Sequence, residues 1–274
     1  MAALNKVFIV IDPTNDHQIA LERATRMAGR DELDHVHAYC AVFSTANAAD
    51  LEALKRVEIE KHRVWLESLV APIREMGKAV DLQVEWTMQW RDALAPAAKS
   101  CAANLIIKAA SSHRVAGRRL LKTADWTLLR QAHCPVYLAK GGVIQKGARL
   151  LVALDLKKED DLHNTLNQRV IQIGKALTSN VEASSLHAVN AYSSSERYVY
   201  PSDLAAEVGI PDQHAHTIEG PPAKVIAEVA NEIGAAMVII GNASRQGARA
   251  AVIGNTAEKV LDALDANVLV VPSN

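Results

Sequence analysis

Chemistry is easiest to place where Met237-Val238-Ile239-Ile240 runs into Gly241-Asn242-Ala243-Ser244-Arg245-Gln246-Gly247, followed shortly by Gly254-Asn255-Thr256-Ala257-Glu258. The first four residues read as a buried strand. Ala257, Val260, Leu261 and Leu264 recur at the spacing of one helix face. A strand, a glycine turn and a helix start together suit an anion. Gly241 and Gly254 let backbone N–H groups approach without a Cβ in the way, Asn255 and Thr256 add side-chain donors, and the helix N-terminus carries partial positive charge. The same Asn255 to Glu258 stretch also reads as a capping box, in which a helix cap and a reciprocal glutamate satisfy each other without a ligand. Spacing alone leaves both readings open.

Other constellations point to less. His35/His37 and His214/His216 are His-x-His pairs whose members share one face of a strand, but no cysteine or carboxylate cluster joins them, so no metal site is expected. Ser111-Ser112-His113 and Ser193-Ser194-Ser195 lack the strand-turn-helix setting of a nucleophile elbow, and no catalytic residue is assigned. Cys40, Cys101 and Cys134 are odd in number and widely spaced, so they read as buried thiols of a reducing, cytoplasmic compartment. Lys108, Arg118 and Arg119 read either as an anion pocket or as solvated charges.

The elements that must position these residues follow from periodicity and composition. The 274 residues are 49% hydrophobic, with 30 Lys+Arg against 31 Asp+Glu, which fits a packed globular protein and no bulk nucleic-acid partner. Two Phe, four Trp and five Tyr leave the core to Ala, Val, Ile and Leu, as in helices packed on a parallel sheet. No apolar run approaches the roughly 20 residues of a membrane span, and no targeting segment is expected. Strands are predicted at 7–11, 36–43, 80–86, 105–107 and 135–139. Helices are predicted from about 16, over 47–78 with Pro72 as a kink, over 91–103 and over 124–131, with a polar stretch from Ser111.

The order β-α-β-α-β-α-β-α-β then repeats. Leu150 to Asp155 matches the opening strand, and Leu186-His187-Ala188-Val189 echoes Val36-His37-Ala38-Tyr39. Thr256 lies 133 positions after Thr123, and Val268 to Val271 stand at the same offset from Pro135 to Leu138. Two domains are therefore expected, 1–143 and 144–274, joined through the glycine-rich stretch 140–147. Where the first copy has its long helix, the second has only 193–214, expected to be largely loop with one helical turn at 202–208. That leaves either an exposed crevice or a trimmed loop packed on the sheet.

Gly241, Ser244, Gly254 and Asn255-Thr256 resemble the ATP-binding signature of the universal stress proteins, Gly-x2-Gly-x9-Gly followed by Ser, Thr or Asn. The likeness runs through Val10-Ile11-Asp12-Pro13, Thr123 to Arg130, Glu219-Gly220-Pro221 and the closing Val-Leu-Val-Val-Pro. It implies two tandem doubly wound five-stranded parallel α/β domains of the adenine nucleotide alpha hydrolase-like kind. It also implies that Asp155 and Val189 face adenosine while Gly241, Ser244, Gly254, Asn255 and Thr256 hold the phosphates of ATP, with magnesium accompanying the nucleotide. Ser244 departs from the family's glycine. In the first copy the matching positions are Lys108, Ser111, Leu121 and Lys122, so that copy is expected to bind no ATP. The resemblance further implies antiparallel pairing of the two closing strands into an internal pseudo-dimer, with homodimer formation open and no nucleic-acid or membrane partner. The function implied is that of a non-enzymatic cytoplasmic stress-response protein; the alternatives are a weak magnesium-dependent ATPase or a ligand-independent scaffold.

Overall fold

A computed structural model describes residues 4–43, 50–110, 112–115, 118–121, 123–140, 142–156, 160–243 and 255–273, with the side chains of 112–115, 118–121, 123 and 255–258 outside the description. In chain order the first copy holds β1 (Lys6–Ile11), α1 (Ile19–Gly29), β2 (His35–Val42), α2 (Leu51–Glu75), β3 (Ala79–Trp86), α3 (Trp90–Ser100) and β4 (Leu105–Ala109). The short strands β5 (Ser112–Val115) and β6 (Arg118–Leu121) come next, then α4 (Thr123–Gln131) and β7 (Val136–Ala139). The second holds β8 (Arg149–Leu154), α5 (Asp161–Ser179), β9 (Ser185–Tyr192), α6 (Pro201–Val208), β10 (Ala215–Glu219), α7 (Pro222–Glu232), β11 (Met237–Asn242), α8 (Asn255–Ala263) and β12 (Asn267–Pro272).

The chain packs as two compact units. Unit 1 is Met1–Ala109 with Gln131–Ala139, and unit 2 is Ala110–Arg130 with Lys140–Asn274. A single cut at 143 would place Ala110–Arg130 in the first copy; in the structure it packs within unit 2, where the Asn242 amide donates to the Leu129 carbonyl at 3.2 Å. Unit 1 has the strand order β3-β2-β1-β4-β7 and unit 2 the order β10-β9-β8-β11-β12. All strands within each five-stranded set run parallel. The α/β class and the parallel sheets expected from the sequence are therefore present.

Each central strand is an unbroken apolar run because helices cover both faces. Val7, Phe8 and Ile9 in β1 and Leu150, Leu151 and Val152 in β8 are all at most 1% exposed. Each such side chain contributes about 1.5–3 kcal/mol of burial. The helix starts are chemically marked. Asp50 caps α2 by accepting from the Ala53 N–H at 2.8 Å, and Asp160 caps α5 by accepting from the His163 N–H at 2.9 Å. Pro201 and Pro222 occupy first-turn positions of α6 and α7.

Two elements differ from the sequence expectation. The polar stretch after Ser111 contains the antiparallel pair β5–β6, whose arginines and histidine hide any strand alternation. The region 193–214 holds two turns of helix in α6, flanked by 3-10 turns at Ser195–Arg197 and Asp212–His214. Gly209 closes α6 in the left-handed region at φ 69°, where a Cβ would be strained.

Helix α5 lies unusually close to its sheet. A Cβ on Gly174 would stand 2.7 Å from Val152 Cγ1 and 3.1 Å from Leu186 Cδ1. Gly174→Ala is therefore expected to lower stability by about 1–2 kcal/mol, although alanine has the better helix propensity by about 1 kcal/mol. Urea unfolding checks the sign.

Candidate functional site

In a doubly wound sheet a crevice opens beyond the carboxyl ends of the two strands at which the order reverses. In unit 2 these are β8 and β11, held in register by Ala153 against Ile240. Asp155 is the first residue after β8, and two buried asparagines hold the loop it begins. Asn167 of α5 accepts from the Asp155 N–H at 3.4 Å and donates to the Asp155 carbonyl at 2.9 Å. Asn190 of β9 accepts from the Leu156 N–H at 3.1 Å. Both are under 9% exposed, so their amides serve the loop rather than solvent. The Asp155 carboxylate is left half-buried and, among the described residues, without a hydrogen bond.

Unit 1 repeats the clamp and changes the carboxylate. Gln18 accepts from the Asp12 N–H at 3.1 Å and donates to the Asp12 carbonyl at 2.7 Å, as Asn167 does for Asp155. Asp12 Oδ1, however, already accepts from the Thr14 N–H at 2.9 Å and the Thr14 hydroxyl at 2.7 Å. On β4, at the counterpart of Gly241, Lys108 is 5% exposed and its ammonium donates to the Ala109 carbonyl at 2.9 Å. Tyr39, the counterpart of Val189, is fully buried against Phe8 with ring centroids 5.3 Å apart, and its hydroxyl donates to Glu85 at 2.9 Å.

The residues singled out in unit 2 are placed unequally. Asp155 and Gly241 stand at the ends of adjacent strands, with Val189 on the next strand over, in register with Ala153. Val189 is 1% exposed, so its side chain belongs to the core. Gly241 has a packing reason to be glycine, since a Cβ there would stand 2.6 Å from Leu166 Cδ2 and 2.7 Å from Leu166 Cγ. The backbone of Asn255 and Thr256 opens α8, a nine-residue helix whose first-turn N–H groups have no acceptor within the helix; the side chains of both, and all of Ser244 and Gly254, lie outside the described residues. Sequence reading missed Gln18, Asn167 and Asn190. The available signal was an amide side chain in an otherwise apolar run, such as Asn190 closing Leu186-His187-Ala188-Val189.

Burial disfavours the thiolate form at all three cysteines. Burial pushes Cys40 and Cys134 up to about 12 and raises Cys101 as well. Among the described residues no three of His, Cys, Asp and Glu are arranged to hold a metal ion, and no helix is long and apolar enough to cross a membrane.

Comparison with known proteins matches residues 4–140 and 149–272 to the universal stress protein family. The chain belongs to that family. The universal stress protein E homolog of Haemophilus influenzae is 27% identical over 96% of each chain, and universal stress protein E of Escherichia coli K12 is 26% identical over 99% of this chain and 95% of its own. Among solved structures, a universal stress protein from Pseudomonas aeruginosa UCBPP-PA14 is 27% identical, with a TM-score of 0.82 over 98% of this chain and 94% of that one. One from Archaeoglobus fulgidus DSM 4304 shares the fold at 16% identity and a TM-score of 0.71, covering 97% and 96%. The universal stress protein fold thus extends through both copies.

In this universal stress protein the Asn167 clamp has a measurable cost of removal. Asn167→Leu leaves the Asp155 N–H and carbonyl without their partner and is expected to destabilise the protein by about 1–2 kcal/mol. Thermal unfolding of the variant checks this, together with faster amide exchange at Asp155 and Leu156.

Proposed function

We propose that this universal stress protein is a non-enzymatic cytoplasmic stress-response protein whose unit 2 binds an adenine nucleotide, ATP foremost, beyond the carboxyl ends of β8 and β11, while unit 1 binds none. The observation that carries the reading is the contrast between Asp12 and Asp155. Both follow the first strand of their copy and both have the backbone clamped by a side-chain amide, but Thr14 already bonds the carboxylate of Asp12. An ionised carboxylate with free lone pairs is an acceptor for two hydroxyls, which suits a ribose. The first turn of α8 supplies N–H donors and a positive helix end for phosphate oxygens.

In this reading Asp155 orients the sugar, and Asn255 and Thr256 receive the phosphates. Gly241 contributes chiefly by admitting Leu166, which fixes the end of β11, and Val189 contributes by packing. Magnesium would arrive with the nucleotide and balance phosphate charge. A nucleotide held without a positioned base or nucleophile biases conformation rather than breaking a bond.

Titration calorimetry of the full chain with ATP, ADP and AMP, with and without magnesium, tests the proposal after a denatured sample has been checked for carried-over ligand. One site of roughly micromolar affinity is expected, about −8 kcal/mol. Asp155→Ala should weaken all three nucleotides by about tenfold or more, while Thr256→Ala should weaken ATP more than AMP. Gly254→Val should abolish binding with the fold retained. Absence of binding to empty protein would instead support the scaffold reading, and magnesium-dependent turnover lost in Thr256→Ala would support the ATPase.

A further inference from the structure

Each copy carries a histidine at the third position of its second strand, His37 in β2 and His187 in β9, and each reaches diagonally to the neighbouring edge strand. In unit 1 the diagonal contacts are of mixed type. His35 Nε2 lies 2.8 Å from Asp81 Oδ2, and His37 Nε2 lies 2.9 Å from Gln83 Oε1. In unit 2 the corresponding partners are themselves histidines. The His187 ring stacks on His214 with centroids 4.1 Å apart and planes 25° from parallel, and on His216 at 5.6 Å and 18°. His187 Nδ1 lies 3.3 Å from His216 Nε2, and its Nε2 lies 3.3 Å from the Ser185 hydroxyl. The 3.3 Å approach of the two ring nitrogens is a hydrogen-bond distance, and among the described residues no three of His, Cys, Asp and Glu are arranged to hold a metal ion.

The surroundings of this stack disfavour positive charge. His187 is 7% exposed. Burial, then His214, His216 and Arg149 of β8, push His187 down to about 4 from an ordinary 6.5. Arg149 is itself anchored by donating to the Ile233 carbonyl at 2.9 Å, at the end of α7. His216 is also lowered, by burial and His214, against the attraction of Glu232 on α7. Imidazoles that stay neutral in the fold bind protons more readily once the strand is free. The stability that His187 confers is complete above about 6.5 and is lost as pH falls toward 4, and His216 acts in the same direction.

We propose that His187, His214 and His216 form an acid-released latch on the edge strand of unit 2. Neutral, the rings stack and hold β10 against β9. On acidification His187 and His216 become mutually repelling cations, and β10 detaches together with the 3-10 turn Asp212–His214 that leads into it. Among the described residues unit 1 has no stack of histidines: His37 stacks on Phe8 and His35 Nε2 lies against the Asp81 carboxylate, so acid separates the behaviour of the two units. Strand β9 also carries Asn190, which holds the loop after Asp155, so release of β10 reaches that loop whether or not a nucleotide binds there.

Hydrogen exchange of the full chain, read by mass spectrometry between pH 7.5 and 4.5 with labelling times adjusted for the intrinsic rate, tests the latch. The peptide covering β10 should lose protection by about tenfold or more relative to the peptide covering β3 as pH falls. His187→Phe keeps a stacking ring that cannot charge, and should keep β10 protected at pH 4.5. Equal pH profiles for β10 and β3, or the same acid loss in His187→Phe as in the unaltered chain, would overturn the proposal. Should that variant not fold, histidine ring proton resonances of the unaltered chain decide. A His187 midpoint near 4 coupled to shifts along β10 is expected, and an ordinary midpoint with β10 unmoved would overturn it.

Discussion

The structure depends on one constraint: parallel strands that are apolar on both faces must be covered on both. Phe8, Ile9, Ile106 and Ile107 in unit 1, and Leu151, Val152, Val238 and Ile239 in unit 2, are fully buried, and a strand of that kind cannot form an exposed sheet. Covering both faces requires crossover helices, and the strand orders β3-β2-β1-β4-β7 and β10-β9-β8-β11-β12 place the first and fourth strands of each copy at the point of reversal. The crevice for a ligand is thus a consequence of how the core is buried. What differs between the copies is which side chains stand at that crevice.

Those differences concern a few positions on a shared frame. The backbone of Asp12 and of Asp155 is held by an amide in both copies, because a loop leaving a buried strand end needs partners for its N–H and C=O. Among the described residues, only in unit 1 does the following turn also bond the carboxylate, through Thr14. At the fourth strand, glycine in unit 2 admits Leu166, whereas lysine in unit 1 is buried with its ammonium on a backbone carbonyl. On the second strand, His37 finds an amide and His187 finds two imidazoles. Duplication preserved the packing and let the polar groups diverge, which is how one fold comes to hold sites of unequal character.

Much of the frame was legible in the sequence because it is written in runs and repeats. Val7 to Ile11 and Met237 to Ile240 announce buried strands, and the matched offsets of Thr123 with Thr256 expose the duplication. The β5–β6 pair was not legible, since Ser112-His113-Arg114 and Arg118-Arg119 show no apolar alternation. The site was legible in part. Asp155 stands out as a carboxylate ending an apolar run, but its clamp joins Asn167 and Asn190 from two other elements, and no local pattern links them. Gly241 carries a second reason to be glycine that its sequence context hides: the neighbour a Cβ would meet is Leu166 from α5. The histidine stack was visible only as His214-x-His216, and its third member, His187, comes from a different strand.

The central claim is that the two copies share a frame and differ in their ability to hold a nucleotide. Amide NMR of the full chain during ATP addition tests it most directly, because it reports both copies in one experiment. The account predicts shifts at Asp155, Leu156, Gly241 and the first turn of α8, with Asp12, Thr14 and Lys108 unmoved. Equal shifts around Asp12 and Asp155, or shifts confined to unit 1, would contradict it.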